Sequence, residues 1–153
     1  MDFPVTDRRG LVILTQEECI AHLEQGRLGR LAVVLGKDPM VFPVLFRYAN
    51  GAVHFRTATG DKMDAIWLHG PVAFEVDGWD EKTRLGWSVV VVGRAEAVYD
   101  EQEAKLLDSL PLEDWLPPRM PTTWVRIRLS EISGRRIPER YELPEEWWVA
   151  PSR

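Results

Sequence analysis

The longest extended run in the sequence, WSVVVVGRAEAVYD at residues 87–100, has a glycine near its middle. Four consecutive valines suit a strand that is buried on both faces, as in a barrel or at a subunit interface. Gly93 falls inside this strand, and an interior glycine is typical of a β-bulge or a bend. The run therefore predicts a long strand in a sheet that curls around a barrel.

Five other segments have the alternation or the β-branched composition of strands and are bounded by turn residues. Asn50-Gly51 is the strongest tight-turn signal, since this dipeptide favours the positive φ angles of two-residue hairpin loops. A second hairpin is expected with its loop near Gly36–Pro39, so that the first three strands form a meander from Gly29 to Thr57. The five segments are residues 29–36, 40–48, 52–57, 71–79 and 122–132.

Three short helices are expected in the connections between the strands. Thr15 and Glu18 have the spacing of a capping box, and Gly26 marks the end of the helix that they begin. Residues 61–68 and 101–110 fit two further helices of about two turns each.

The whole chain, 1–153, is expected to form one mainly β domain with short helices, in which six mostly antiparallel strands make a closed or nearly closed barrel. Residues 1–14 are expected to be an extended N-terminal arm. Residues 138–153 form a tail rich in proline and tryptophan, and the pair Trp147-Trp148 predicts that the tail docks on the barrel or on a partner subunit.

Composition and missing motifs exclude several classes of function. Acidic residues outnumber basic ones 24 to 19, which argues against a nucleic-acid-binding surface. The chain has one cysteine, no signal-peptide pattern and no apolar run long enough to cross a bilayer, so a cytoplasmic location without membrane association is expected. The three histidines lack metal-ligand spacing and no nucleophile elbow occurs, so no catalytic or metal-ligating residue is predicted. His54 is expected at the surface or at an interface.

The segment RTATGDK, from Arg56 to Lys62, joins a strand to a helix and has the features of an anion site. Amide groups at a helix N-terminus favour anions, and Gly60 leaves the backbone accessible there. Thr57 and Thr59 offer hydroxyl groups, while Arg56 and Lys62 offer positive charge. The same residues also fit an ordinary capped helix whose Lys62 faces solvent, and the local pattern leaves both interpretations open.

Three blocks of the sequence carry a resemblance to a known family: GRLAVV…PMVFPVLFRYANGAVHFRTATGDKMDAI, PVAFEVDGWDEKTRLGWSVVVVGRAEAV and WVRIRLSEISGRRI. Together they cover roughly residues 11–137 and resemble the flavin-binding split-barrel superfamily typified by pyridoxamine 5′-phosphate oxidase, especially its small bacterial members. The resemblance implies a six-stranded antiparallel split β-barrel that forms a homodimer. It also implies one flavin mononucleotide (FMN) in each of two clefts between the subunits.

The family's motif positions assign four groups of residues to the cofactor. The first group would contact the flavin ring, and the second would lie along the ring edge or the ribityl chain. The third would form the phosphate-binding turn, and the fourth would reach the cofactor of the other subunit. The first group is Pro43 and Val44, and the second is Arg56, Thr57, Ala58 and Thr59. The third group is Asp61 and Lys62, and the fourth is Trp87 and Ser88.

The resemblance predicts a flavin-dependent oxidoreductase that acts on a small, unidentified substrate. Oxidation of pyridoxamine 5′-phosphate itself is not expected, since the family's contacts to that substrate have no clear counterpart in this sequence. One alternative is a reductase that uses a deazaflavin coenzyme. Another is a non-catalytic module that binds or senses flavin, which Asp61 favours because the family often carries serine at that position. A third is a haem-binding split barrel with His54 or His69 as axial ligand.

Overall fold

The computed structural model describes residues 2–58, 71–113 and 115–150. Within these ranges the helices are α1 (Gln16–Gln25) and α2 (Glu101–Asp108), and two 3-10 turns span Arg140–Glu142 and Glu145–Trp147. The strands are β1 (Val12–Ile13), β2 (Leu28–Leu35), β3 (Asp38–Leu45), β4 (Arg47–Ala49), β5 (Ala52–Ala58), β6 (Pro71–Asp80), β7 (Leu85–Val98) and β8 (Thr122–Arg136).

The strands form one antiparallel sheet that closes into a barrel. Its order is β3-β2-β6-β7-β8-β5-β4, with the short β1 paired to β8. The two ends of this order are consecutive in the chain, since only Phe46 separates β3 from β4. The chain itself therefore joins the ends of the sheet, and the mainly β barrel with short helices is confirmed.

The segment expected as one strand over residues 40–48 has two different pairing partners. Its first half, β3, pairs with β2, whereas its second half, β4, pairs with β5. Phe46, between the halves, is fully buried, and its N–H group donates to the Arg27 carbonyl oxygen at 2.9 Å. The inward side chains keep their alternation through this change of partner: Phe42, Val44, Phe46 and Tyr48 all pack in or against the core.

This change of partner corrects two expectations. The three-stranded meander from Gly29 to Thr57 is wrong, because the middle segment leaves β2 before it pairs with β5. The structure also has eight strand segments among its described residues rather than six. One extra segment comes from the division at Phe46, and the other is β1, which lies in the stretch 1–14 expected to be an arm and pairs with β8.

Helix α1 packs into the barrel core. Its buried residues Cys19 and Leu23 belong to the same hydrophobic cluster as the inward side chains of the strands. The predicted capping box is confirmed, since the Glu18 N–H donates to the Thr15 hydroxyl at 3.2 Å and the Thr15 N–H donates to the Glu18 carboxylate at 2.7 Å. Gly26 ends the helix as expected.

Helix α2 packs on the outer face of the sheet. Leu107 of this helix forms a second buried cluster with Val98 of β7 and Trp124 of β8. The Trp124 Nε1–H donates to the Asp108 carboxylate at 2.8 Å, which fixes the indole beneath the end of the helix. The third expected helix, over residues 61–68, lies outside the described residues. Within the described ranges, no helix is long and apolar enough to cross a membrane.

The C-terminal tail is held by residues other than its tryptophan pair. Leu143 is buried, and the Arg136 guanidinium binds both carboxylate oxygens of Glu142 at 2.6 Å. Trp147 and Trp148 are 58% and 38% exposed. Docking of this pair on a partner subunit therefore stays a prediction.

Two predictions about glycine are confirmed by the backbone. Asn50 and Gly51 have φ angles of 51° and 75°, which are the left-handed values of a tight hairpin turn. The register of β7 against β8 shifts between Val92 and Gly93, which is the expected bulge. A Cβ atom on Gly93 would overlap the Arg128 carbonyl oxygen, so no larger residue fits there.

We expect the substitution Gly93→Ala to destabilise the fold by about 2–3 kcal/mol, because the methyl group would force β7 and β8 apart. Urea denaturation of the two proteins measures the difference. Gly36→Ala is the matched control: a Cβ there meets nothing within 4 Å, although φ is +63°. The control should lose only about 1 kcal/mol, the cost of the left-handed backbone. Equal losses in the two variants would show that the bulge does not need glycine.

Candidate functional site

The barrel opens between β3 and the last residues of β5. Among the described residues, β5 pairs with β4 only over Ala52–His54, while β3 pairs with β2 on its other side. The strands β3 and β5 still approach each other, but no ladder joins them. We call this opening the split; its two lips are β3 and the β5 residues 55–58.

Five of the residues assigned to the cofactor lie on the two lips of the split. Pro43 and Val44 are near the end of β3, and Arg56, Thr57 and Ala58 end β5. If the β4–β5 register continued past Phe46, Val44 would lie opposite Thr57 and Pro43 opposite Ala58. These five residues therefore lie on stretches of β3 and β5 that approach each other without a ladder between them.

The two lips differ in character. On β3, Pro43 is exposed, whereas Val44 is half-buried and packs against the core. On β5, the Arg56 guanidinium lies 5.2 Å from the centre of the Trp124 ring, which is a cation–π contact with β8. Because Trp124 is itself anchored to Asp108, Arg56 is a positioned charge rather than a loose surface group.

Three further residues of the predicted site cannot be placed on this geometry. Thr59, Asp61 and Lys62 lie outside the described residues. The chain enters that stretch directly from Ala58, the last residue of the β5 lip. The predicted phosphate-binding turn is thus continuous in sequence with the split.

Trp87 and Ser88 lie at the start of β7, outside the two lips of the split. On the β5 lip, Arg56 pairs with Trp124 of β8, which pairs in turn with Val98 of β7. Trp87 precedes Val98 by eleven positions on β7, which corresponds to about 36 Å of extended strand. In the other direction around the sheet, β6 and β2 separate Ser88 from the β3 lip, so Trp87 and Ser88 belong to neither lip.

Trp87 is held between a histidine ring and a glycine. Its indole stacks on His22 of α1 with ring centres 3.7 Å apart and an interplanar angle of 17°. Its cross-strand neighbour is Gly78, where a Cβ atom would lie 2.5 Å from the indole Nε1. Trp79 of β6 likewise lies over its own cross-strand neighbour, Gly86 of β7. Since consecutive strand residues face opposite sides, the two indoles lie on opposite faces of this hairpin.

Two cavities flank this hairpin. The larger has a volume of about 530 Å³ and the smaller about 310 Å³. Both touch Trp79, Trp87 and Arg136, while Ser88 lines only the smaller one. Sequence reasoning assigned Trp87 and Ser88 but missed His22, Trp79 and Arg136. The repeated Gly-Trp dipeptide, at 78–79 and 86–87, was the signal that could have found Trp79.

Two ion pairs set the charge near these cavities. The Arg136 guanidinium binds Glu142 with both Nη atoms, which lowers the pKa of that carboxyl to about 2 and raises the pKa of Arg136. On the outer face of the sheet, Arg30 lies 3.4 Å from Glu75 and 3.5 Å from Asp77. Burial lowers the pKa of His22, although Glu18 opposes this, so the ring beside Trp87 is uncharged at neutral pH.

His54 is buried, which corrects its expected place at the surface or at an interface. It is 4% exposed, and its Nε2–H donates to the Ala49 carbonyl oxygen at 3.0 Å. Arg126, its neighbour on β8, is ion-paired with Glu103 of α2, so the helix covers this part of the outer face. Burial lowers the pKa of His54 in the folded protein, which favours the neutral ring.

Comparisons with known proteins give a consistent family and fold. A family model described as pyridoxamine 5′-phosphate oxidase matches residues 15–136. The FAD-binding protein from Mycobacterium smegmatis is 35% identical, with a TM-score of 0.71 over 83% of this chain and 100% of that one. An FAD-binding protein from Mesorhizobium loti is 27% identical, with a TM-score of 0.70 over 84% of this chain and 99% of that one. The uncharacterised protein Rv0080 from Mycobacterium tuberculosis is 31% identical over 84% of this chain and 87% of its own length.

The buried His54 predicts a loss of stability in mild acid. In the unfolded chain a histidine has its ordinary pKa near 6.5, whereas burial lowers the pKa of His54 in the fold. Below about pH 6.5 the unfolded state therefore binds the extra proton, and the free energy of unfolding falls as the pH falls. The charged groups that act on His54 are Arg126, Arg128 and Glu103, and only Glu103 opposes the shift.

The variant His54→Gln can still donate to Ala49 but does not titrate. We expect its free energy of unfolding to fall less between about pH 7 and pH 5.5 than that of the unchanged protein. Urea denaturation at several pH values measures the two slopes, and His22 contributes equally to both. Identical slopes would mean that His54 can take up a proton within the fold.

Proposed function

The chain belongs to the pyridoxamine 5′-phosphate oxidase family, and from this we propose that it binds FMN and acts as an oxidoreductase on a small substrate. The observation that carries the proposal is the split, whose lips carry five of the residues that the family pattern assigns to the flavin. Two relatives of similar length and fold are described as FAD-binding proteins, which supports a flavin as the cofactor.

The described residues fit a flavin. A flat, largely apolar ring suits the Pro43 and Val44 lip, where a proline is exposed beside the opening. Polar ribityl and phosphate groups suit the β5 lip, which offers the Thr57 hydroxyl group and the positioned guanidinium of Arg56. Lys62, the predicted phosphate partner, follows this lip in the sequence.

The role of the protein in the reaction is to bind and orient the ring and to keep water away from it. When bound, the flavin supplies the electron transfer. On the chain's side, the core-packed Val44 gives the ring a rigid support, because its position is fixed by the barrel. FMN and FAD share the ring, the ribityl chain and the first phosphate, so the same lips serve either cofactor. A reductase that uses a deazaflavin coenzyme is one alternative, and a non-catalytic module that binds or senses flavin is another.

We further propose that the active unit is a homodimer. Trp87 and Ser88 lie on β7, which β6 and β2 separate from the β3 lip, and the family pattern assigns them to the cofactor of the other subunit. A suitable surface is the outer face of β2, β3, β6 and the middle of β7. It carries the Arg30 ion pairs with Glu75 and Asp77 at one end, and an apolar part with exposed valines, of which Val34 and Val41 are 67% and 62% exposed. Along it runs a shallow apolar cavity of about 300 Å³ lined by Ala32, Val33, Val34, Pro39, Pro71, Val72, Ala73 and Val92.

The cofactor is tested first by the visible absorbance of the purified protein and by its titration with FMN. We expect Lys62→Ala to weaken FMN binding by roughly tenfold or more, because a charge-assisted hydrogen bond to the phosphate is lost. Lys37→Ala, in the exposed β2–β3 turn, is the control and should leave the affinity unchanged. A colourless protein that takes up no FMN would refute the proposal. Reduction of the bound flavin by a nicotinamide donor separates an oxidoreductase from a flavin carrier.

The dimer is tested by light scattering coupled to gel filtration. We expect the unchanged protein to have the mass of two chains. Val34→Glu should give single chains that bind FMN weakly, because a charge on this face cannot be buried unpaired. Leu106→Glu is the matched control, since Leu106 is 72% exposed on α2, away from this face. A dimeric Val34→Glu protein would show that another surface forms the interface.

A further inference from the structure

The larger cavity beside Trp87 has the size of a site for a small organic molecule. Its volume of about 530 Å³ lies within the usual range of ligand pockets, about 300–1,000 Å³. Helix α1, the β6–β7 turn and the chain after β8 each supply part of its wall. Trp87 is the one cofactor-assigned residue that lines it.

The charge on the cavity wall disfavours an anion. Among the described residues that line the cavity, the carboxylates are Asp80, Glu139 and Glu142, and the guanidinium is Arg136. Arg136 and Glu142 neutralise each other, because both Nη atoms of the arginine bind the carboxylate at 2.6 Å. Asp80 and Glu139 leave the wall negative. Lys82 and Arg84, in the turn beyond the wall, are exposed to solvent, where salt screens them.

The aromatic side chains of the wall suit a flat ligand. Trp79 is 56% exposed, which is high for an indole held in place on the backbone of Gly86. His22 and Trp87 form a rigid stacked pair on another part of the wall. Since His22 and Gly78 cover Trp87, the indole face on offer is that of Trp79. Indole faces attract cations as well as other rings, so Trp79 and the carboxylates favour the same class of ligand.

We propose that this cavity binds a flat organic cation, such as a quaternised or protonated heteroaromatic ring. Aromatic wall groups hold its plane, while Asp80 and Glu139 supply the countercharge. The cation is the substrate class of the flavin site, a step that rests on the proposed function because Trp87 is the link between the cavity and the cofactor.

The binding test uses flavin-free protein and two flat probes of similar size and opposite charge. Isothermal calorimetry measures the affinities for 1-methylquinolinium, a cation, and for 2-naphthoate, an anion. We expect the cation to bind at least ~5-fold more tightly, and the preference to shrink as salt is added. Equal affinities, a preference for the anion, or no binding of the cation would each overturn the proposal.

Two pairs of variants locate the binding. Trp79→Ala should weaken cation binding by about 2- to 5-fold, as expected for the loss of one cation–π contact. Trp115→Ala is its control, because Trp115 is also 56% exposed but does not line the cavity. Glu139→Gln should weaken cation binding by ~2- to 5-fold without weakening anion binding. Its control is Glu145→Gln, which should leave cation binding unchanged, because Glu145 is exposed in the same tail and does not line the cavity. Cation binding that survives both cavity variants unchanged would place it elsewhere and refute the site.

The outcomes keep this inference apart from the proposed function. A protein that binds FMN but not 1-methylquinolinium retains its flavin site and refutes the cation site. A protein that binds the cation at Trp79 but takes up no FMN retains the cavity as a cation site and refutes the flavin function.

Discussion

Phe46 lies where one extended segment changes its pairing partner, and both the closure of the barrel and the split depend on it. Its ring packs edge-on against Phe74, with centres 4.9 Å apart, and is close enough to Gly26 that a Cβ there would lie 2.6 Å from the ring. This buried position fixes the end of α1, the start of β2 and the middle of the β3–β4 segment relative to one another. Because β3 pairs with β2 whereas β4 pairs with β5, no strand pairing joins β3 to β5, and the sheet opens between them. The same packing that closes the core therefore creates the opening that bears the candidate site.

A second constraint, the fit of indole rings onto glycines, shapes the other end of β7. Gly78 and Gly86 leave space on the hairpin backbone, and Trp87 and Trp79 fill it from opposite faces. His22 then stacks on Trp87 from α1, whose position depends on Phe46 through Gly26. Helix α1 thus contacts both Trp87 and Phe46. A displacement of the helix would therefore move the wall of the cavity and the end of the β3 lip together.

Local features of this fold could be predicted from the sequence, whereas features that depend on distant segments could not. The Thr15–Glu18 capping box, the Asn50-Gly51 turn and the bulge at Gly93 each follow from the chemistry of a few neighbouring residues. The change of partner at Phe46 leaves no local trace, because the alternation of inward side chains continues through it. The burial of His54 also has no local signal. The sequence predicts its strand correctly, but the helix that covers it is α2, about 50 residues later in the chain.

The candidate site shows the same division. The family pattern assigned residues on both lips of the split, because those lips are short continuous stretches of β3 and β5. His22, Trp79 and Arg136 come from three separate elements and meet only in the folded chain, so no motif marks the three together, and only Trp79 has a local signal in the repeated Gly-Trp dipeptide.

The proposed sharing of one cofactor between two subunits has a thermodynamic consequence for the dimer. A cofactor that contacts the split of one subunit and Trp87 of the other gains part of its binding free energy only when both subunits are present. By linkage, the cofactor must then stabilise the dimer by the same amount that the dimer strengthens cofactor binding. Loss of the cofactor and dissociation of the subunits would be coupled events. A protein built in this way would lose the apolar cover of β2, β3, β6 and β7 when it loses its flavin, and exposed valines on that face are a surface on which chains associate non-specifically.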